Sequence, residues 1–78
     1  MTTGSNDLLL TRIDPACNMA RFYYLSVEPS LFGGCSLVRS WGRIGTHGRI
    51  RVELYQRLAE AKERFGELAA AKRRRGYC

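Results

Sequence analysis

Lysine is nearly missing from this chain: two lysines stand against eleven arginines. Arginine offers five donors in a rigid planar fork that matches phosphate and carboxylate, whereas lysine acts as a flexible point charge. The skew therefore favours shaped recognition of anions. Acidic residues are also few, and seven Asp and Glu leave a formal net charge of +6 in 78 residues. Such an excess points to nucleic acid, an anionic membrane surface or an acidic protein as partner. Cysteine is too sparse for a disulfide framework, since Cys17, Cys35 and Cys78 are odd in number and far apart. His47 is the sole histidine, and no two cysteines have the close spacing of a zinc knuckle, so no metal is expected.

Long apolar runs are absent too. Nothing approaches the roughly 20 apolar residues of a bilayer span, and no apolar stretch follows a basic start. The chain reads as cytoplasmic, in a reducing compartment, with no membrane partner. Catalysis finds no support either. His47 lies in a glycine-flanked loop without an acidic orienter, and neither a Gly-rich phosphate loop nor a carboxylate pair occurs, so no enzyme and no cofactor is expected.

What the chain does have is enough apolar content to fold: 45% hydrophobic residues, 10% of the chain aromatic, well away from the composition of disordered segments. Its length allows one core. Residues 1–7 are polar and lack periodicity, which predicts a flexible leader before a single domain over 8–78.

Leu8 to Ile13 reads as a first strand, closed by the turn signal Asp14-Pro15. Met19 to Glu28 alternates Met19, Tyr23, Leu25 and Val27 against Ala20, Phe22, Tyr24 and Ser26, a central strand with a helix over one face. After a Pro- and Gly-bearing loop, Cys35 to Arg43 forms a third strand with Leu37, Arg39, Trp41 and Arg43 on one side. Gly45-Thr46-His47-Gly48 predicts a tight hairpin into a fourth strand, with Ile50, Val52 and Leu54 on one face and Arg51, Glu53 and Tyr55 on the other.

From Gln56 the period becomes helical: Leu58, Ala61, Phe65, Leu68, Ala69 and Lys72 recur at three and four. Acidic residues come early, Lys72-Arg73-Arg74-Arg75 closes the segment in accord with the helix dipole, and Gly76 is placed to cap it. Gly66 inside the helix implies a bend or a close approach to the sheet. The predicted fold is α+β: a small twisted antiparallel sheet of about four strands with one C-terminal helix packed across it.

Arg39, Arg43, Arg49 and Arg51 flank the hairpin, and Arg12 and Arg21 are candidates for neighbouring strands. Cations interleaved with a flat ring suit a sugar-phosphate chain, with fork donors for phosphates and an apolar plane for a base or ribose. The same arginines could equally be a solvated face. Trp41 is open to two readings, a core ring or a partly exposed one beside Arg39 and Arg43, with Gly42 able to turn it inward. Lys72, Arg73, Arg74 and Arg75, followed by Tyr77, form a second basic patch, either a solvated helix end or a phosphate clamp.

The run Arg39-Ser40-Trp41-Gly42-Arg43-Ile44-Gly45-Thr46-His47-Gly48 resembles the signature of the WGR domain, found in DNA-damage-responsive poly(ADP-ribose) polymerases and in bacterial proteins. Asn18 with Arg21-Phe22-Tyr23, and Glu60-Ala61 through Phe65 to Lys72 and Arg75-Gly76-Tyr77, resemble further family segments in order. The resemblance implies a sheet with one helix against it and binding near DNA ends. Carried over by motif, it sets Trp41 against the sugar of a terminal nucleotide and Arg21 near the nucleic acid. Tyr77 becomes a candidate for an end phosphate, and Arg43 matches a residue that relays the bound state in the polymerases. Gly42, Gly45, Gly48, Phe22, Tyr23, Phe65 and Gly76 are expected to be structural.

Departures from the pattern are Arg49 where family members often carry Gln, an abrupt link at Tyr55-Gln56-Arg57, and a short loop from Pro29 to Gly34. The expected function is binding of duplex DNA or its ends without sequence specificity. The alternative is a protein-interaction module that docks an acidic partner or associates with itself.

Overall fold

A computed structural model describes residues 7–30 and 33–78 of the chain. Four strands, β1 (Asp7–Asp14), β2 (Met19–Pro29), β3 (Cys35–Arg43) and β4 (Arg49–Tyr55), form one antiparallel sheet in the order β1-β2-β3-β4. The helix α1 (Leu58–Arg74) lies against β2, β3 and β4. This is the α+β arrangement that the periodicities predict. Of the expected leader, residues 1–6 lie outside the described residues, and so do residues 31–32 of the Pro29 to Gly34 loop; Asp7 opens β1.

The turn between β1 and β2 is built by local hydrogen bonding. Asp14 Oδ1 accepts from the Ala16 amide at 3.1 Å, and Pro15, with φ already fixed, starts a short 3-10 turn over Pro15–Cys17. Asn18 ends it in the left-handed region at φ 51°, which asparagine tolerates better than most residues.

Register then decides which side chains share a face. Leu10 opposes Tyr23 and Tyr23 opposes Trp41, while Leu25 opposes Arg39 and Val27 opposes Leu37. The inner part of this face is the core. Tyr23, Leu25, Val27 and Leu37 pack with Ala61, Leu68 and Ala69 of α1, and Leu25 and Leu37 are wholly buried. Two of the three buried helix residues are alanines, which lets the helix axis sit close to the sheet.

The helix ends as the basic run and Gly76 predict. The Tyr77 amide donates to the Lys72 carbonyl at 3.1 Å and the Gly76 amide to the Arg73 carbonyl at 3.1 Å, a Schellman closure with Gly76 at φ 98° in the left-handed position. Cys78 then exchanges two backbone hydrogen bonds with Thr11, each 2.9 Å. The chain end is thereby fastened to the outer edge of β1. At the other end, Arg57 precedes the helix without a side-chain cap, in line with the abrupt strand-to-helix link.

One expectation is changed, and one of the two readings of Gly66 falls away. The last β3–β4 pair is Trp41 with Arg49, so Gly42 and Arg43 pair with β2 alone and the hairpin is wider than a tight turn. The two glycines bounding it serve close backbone contact instead. A Cβ on Gly42 would lie 2.7 Å from the Gly48 Cα, and one on Gly48 would collide with the Trp41 carbonyl and sit 3.0 Å from the Phe22 ring. Gly66 makes no close approach: a Cβ there would meet nothing within 4 Å, and the position is exposed. Gly66→Ala is accordingly expected to stabilise the fold by up to about 1 kcal/mol through reduced chain entropy, read as a higher denaturant midpoint at unchanged slope.

Candidate nucleic-acid interface

Beyond the C-terminal end of α1 the same sheet face changes from apolar to cationic. The register sets Arg12 beside Arg21 and Arg21 beside Arg43, a row of three guanidinium groups across three strands. The next row is Leu10, Tyr23, Trp41 and Arg49, and the one after it carries Arg39 and Arg51. Arg21, Arg43, Arg49 and Arg51 are exposed. Alternation puts them on the helix side, and the helix stops short of them. A polar recess of about 140 Å³ opens between the Cys17-to-Arg21 segment and Arg43, and the Ile44 amide, donating to the Ala20 carbonyl at 2.9 Å, holds the turn against its rim.

Trp41 resolves between its two readings as half-buried. One side packs on the core, with its ring centroid 6.5 Å from that of Tyr23 at an interplanar angle of 37°. The Arg39 guanidinium carbon lies 5.6 Å from the ring centroid, within the range of cation–π attraction. Gly42 does not turn the ring into the core.

Arg39 itself is tied inward. Its Nε donates to the Tyr23 hydroxyl at 3.2 Å and its Nη1 to Glu53 Oε2 at 2.9 Å, while the Tyr55 hydroxyl donates to Glu53 Oε1 at 2.9 Å. Both members of the ion pair are about four-fifths buried, with side-chain exposures of 19% and 18%. Burial opposes the charge on each, but the hydrogen bonds prevail: those from Tyr55 and Arg39 hold the Glu53 carboxyl below its ordinary range, and those to Tyr23 and Glu53 hold Arg39 above its own. Burial and the hydrogen bond to Glu53 push the Tyr55 hydroxyl up. Arg39 is thus held against the Trp41 ring by Tyr23 and Glu53, whereas Arg43, Arg49 and Arg51 are exposed.

Lys72 is the opposite case. Its ammonium lies 4.6 Å from the Tyr23 ring centroid and 5.3 Å from that of Tyr77. Burial, followed by the nearby charges of Arg75, Arg39 and Arg21, lowers its pKa. Among the described residues no carboxylate offsets that repulsion, so the end of α1 holds a cation among cations. Tyr77 stands edge-on to Tyr23 with centroids 6.4 Å apart and closes the row beside Lys72. Arg73 and Arg74 are exposed, and the helical step turns them away from the sheet.

The structure therefore gathers Trp41, Arg43, Arg21, Arg49, Arg51, Lys72, Arg75 and Tyr77 on one face and leaves Arg73 and Arg74 exposed on the far side of the helix end. Arg12, from the sequence only a candidate for a neighbouring strand, joins this face. Its guanidinium lies alongside Gly76, and the register places it at the end of the Arg21–Arg43 row. The signal was its alternation with Leu8 and Leu10. The Glu53–Tyr55 partnership was missed, although Glu53 interrupts the arginine alternation of β4. Gly45 sits at the turn with φ 96° and open space around it, and Phe65 packs at the margin of the core.

Among the described residues no group of three or more His, Cys, Asp and Glu side chains could hold a metal, and no helix is long and apolar enough to cross a membrane. Fold and face together define a small sheet-and-helix module with one cationic, aromatic surface. The chain belongs to the WGR domain family, whose model matches residues 6–78. It is 47% identical over 70 residues to the uncharacterized protein y4dW of Sinorhizobium fredii, a match that covers 90% of this chain and 34% of that relative. The chain thus spans about a third of the relative's length. No solved structure matches it.

Proposed function

We propose that this domain binds duplex DNA, with a preference for its ends, through the cationic face centred on Trp41. The observation that carries the reading is the Arg12–Arg21–Arg43 row beside the half-exposed Trp41 ring, on a face that α1 leaves open. Exposed arginine forks at strand spacing suit consecutive phosphates, and they carry no sequence information. Arg21, Arg43, Arg49 and Arg51 would hold phosphates along the sheet, with Arg12 extending the row. Lys72 and Arg75 would hold one at the helix end, where an anion relieves the repulsion described above. Trp41 offers a plane to the terminal sugar or base, Tyr77 a hydroxyl to an end phosphate, and Arg73 and Arg74 a longer-range field. Family membership supports this assignment.

Phosphate-dominated binding has a defined salt signature. With about five contacts the logarithm of the affinity falls with the logarithm of salt at a slope near −4.5, so raising salt from about 50 to about 200 mM weakens binding several-hundred-fold. Fluorescence anisotropy with a short labelled duplex measures the slope, and a slope near zero would remove the proposal.

A further inference from the structure

A four-stranded sheet has two edges, and this chain treats them differently. The β1 edge is closed at Thr11 by the two backbone hydrogen bonds from Cys78. The β4 edge pairs with β3 on one side and with nothing among the described residues on the other. Its pairing with β3 runs without interruption from Arg49 to Tyr55, and the segment contains neither proline nor glycine. Straight edges of this kind present unpaired amides and carbonyls to another strand unless something blocks them. On the face away from α1 this edge also carries Ile50, Val52 and Leu54, exposed by 68%, 54% and 75%.

The sequence of β4 is complementary to its own reverse. Laid antiparallel about Val52, Arg51 faces Glu53 of a second copy, Arg49 faces Tyr55, Ile50 faces Leu54, and Val52 meets itself. Opposite charges and apolar pairs directly across a ladder are stabilising, and like charges are not. Other centres lose this match. Pairing about Arg51 or Glu53 sets like charges against each other, and pairing about Ile50 brings Arg49 onto Arg51. Glu53 is fixed in place by Arg39 and Tyr55, while the Arg51 side chain is 67% exposed and its Nε lies 3.9 Å from Glu53 of its own chain. It has freedom to reach across.

We propose that this chain pairs with a second copy of itself through antiparallel β4 edges centred on Val52, giving a continuous eight-stranded sheet. The two-fold axis through Val52 is perpendicular to the sheet. It keeps both helices on one side and both apolar faces on the other, so the Ile50–Val52–Leu54 rows join. The inference does not depend on nucleic-acid binding, and its test contains none.

Sedimentation equilibrium in reducing buffer, from about 10 µM to about 1 mM protein, should show a reversible monomer–dimer equilibrium of the weak class that small interfaces give. Val52→Lys brings two ammonium groups together at the axis, and Arg51→Glu sets a carboxylate against Glu53 of the second copy. Each should weaken dimerisation by about tenfold or more, and Arg51→Lys should leave it within a few-fold of the parent. Both altered side chains are exposed in the monomer, so circular dichroism and thermal unfolding should find the variants folded. Amide exchange along β4 should slow with concentration in the parent and not in Val52→Lys. A monomer at every concentration, leaving the apolar row to a different partner, would overturn the proposal, as would a dimer that Val52→Lys and Arg51→Glu leave intact.

Discussion

Replacing Arg21 and Arg43 together by glutamate is expected to weaken binding of a short duplex by about three orders of magnitude at roughly 100 mM salt, with the fold retained. The two residues face each other across β2 and β3 on the open part of the helix face, and both are exposed. On the proposed mode of binding each reversal removes a phosphate contact and adds a repulsion of comparable size, so the pair acts about four times over. Neither side chain supports the core. Arg21 is in fact one of the charges that lower the pKa of Lys72, so a carboxylate at position 21 relieves repulsion at the helix end. Anisotropy titrations paired with thermal unfolding separate the two effects. A loss of less than about tenfold would show that phosphates lie elsewhere.

The second large effect is on stability. Glu53→Gln should cost about 1–3 kcal/mol, because it leaves the mostly buried Arg39 guanidinium without its countercharge and leaves one acceptor oxygen for the two donors, Arg39 and Tyr55. The loss depends on pH with a definite sign. The folded-state pKa of Glu53 lies below the ordinary carboxylate value, so its contribution is fully present above that value and fades as pH falls through the folded one. Parent and variant should therefore differ most near neutrality and converge in acid. Chemical unfolding at several pH values measures this, and a gap that widens in acid would contradict the assignment. The variant should also loosen Trp41, since Arg39 lies over that ring and bonds to Tyr23 beside it.

How much of this was legible in the sequence depends on the range of the forces concerned. Local signals worked well: Asp14-Pro15 for a turn, Cys35 to Arg43 as a strand, and Gly76 as the helix cap all follow from short-range backbone preferences. The cationic face was legible as a set of residue types but not as a surface. Whether Arg12 joins it depends on β1–β2 register, which the Asp14 hydrogen bond and the left-handed Asn18 set together. Arg39 and Arg51 share a strand face and a charge, yet one is tied to a buried carboxylate and the other stands in solvent. That difference follows from strand order, with Arg39 on the inner strand β3 and Arg51 on the edge strand β4, and no spacing along either strand encodes it. The apolar row of β4 shows the same limit. Its alternation suggests a core face by pattern alone, but α1 covers the opposite side.

The central claim is that the Trp41 face receives nucleic acid and that the ring meets the last nucleotide. Its most direct test compares the affinity of blunt duplex with that of a closed circle for the parent and for Trp41→Ala, with thermal unfolding confirming that the variant is folded. The account predicts tighter binding to ends in the parent, and a loss of about 1–3 kcal/mol on ends alone in the variant, so that the two substrates become equivalent at an unchanged salt slope. A Trp41→Ala protein that still prefers ends as strongly as the parent would contradict it.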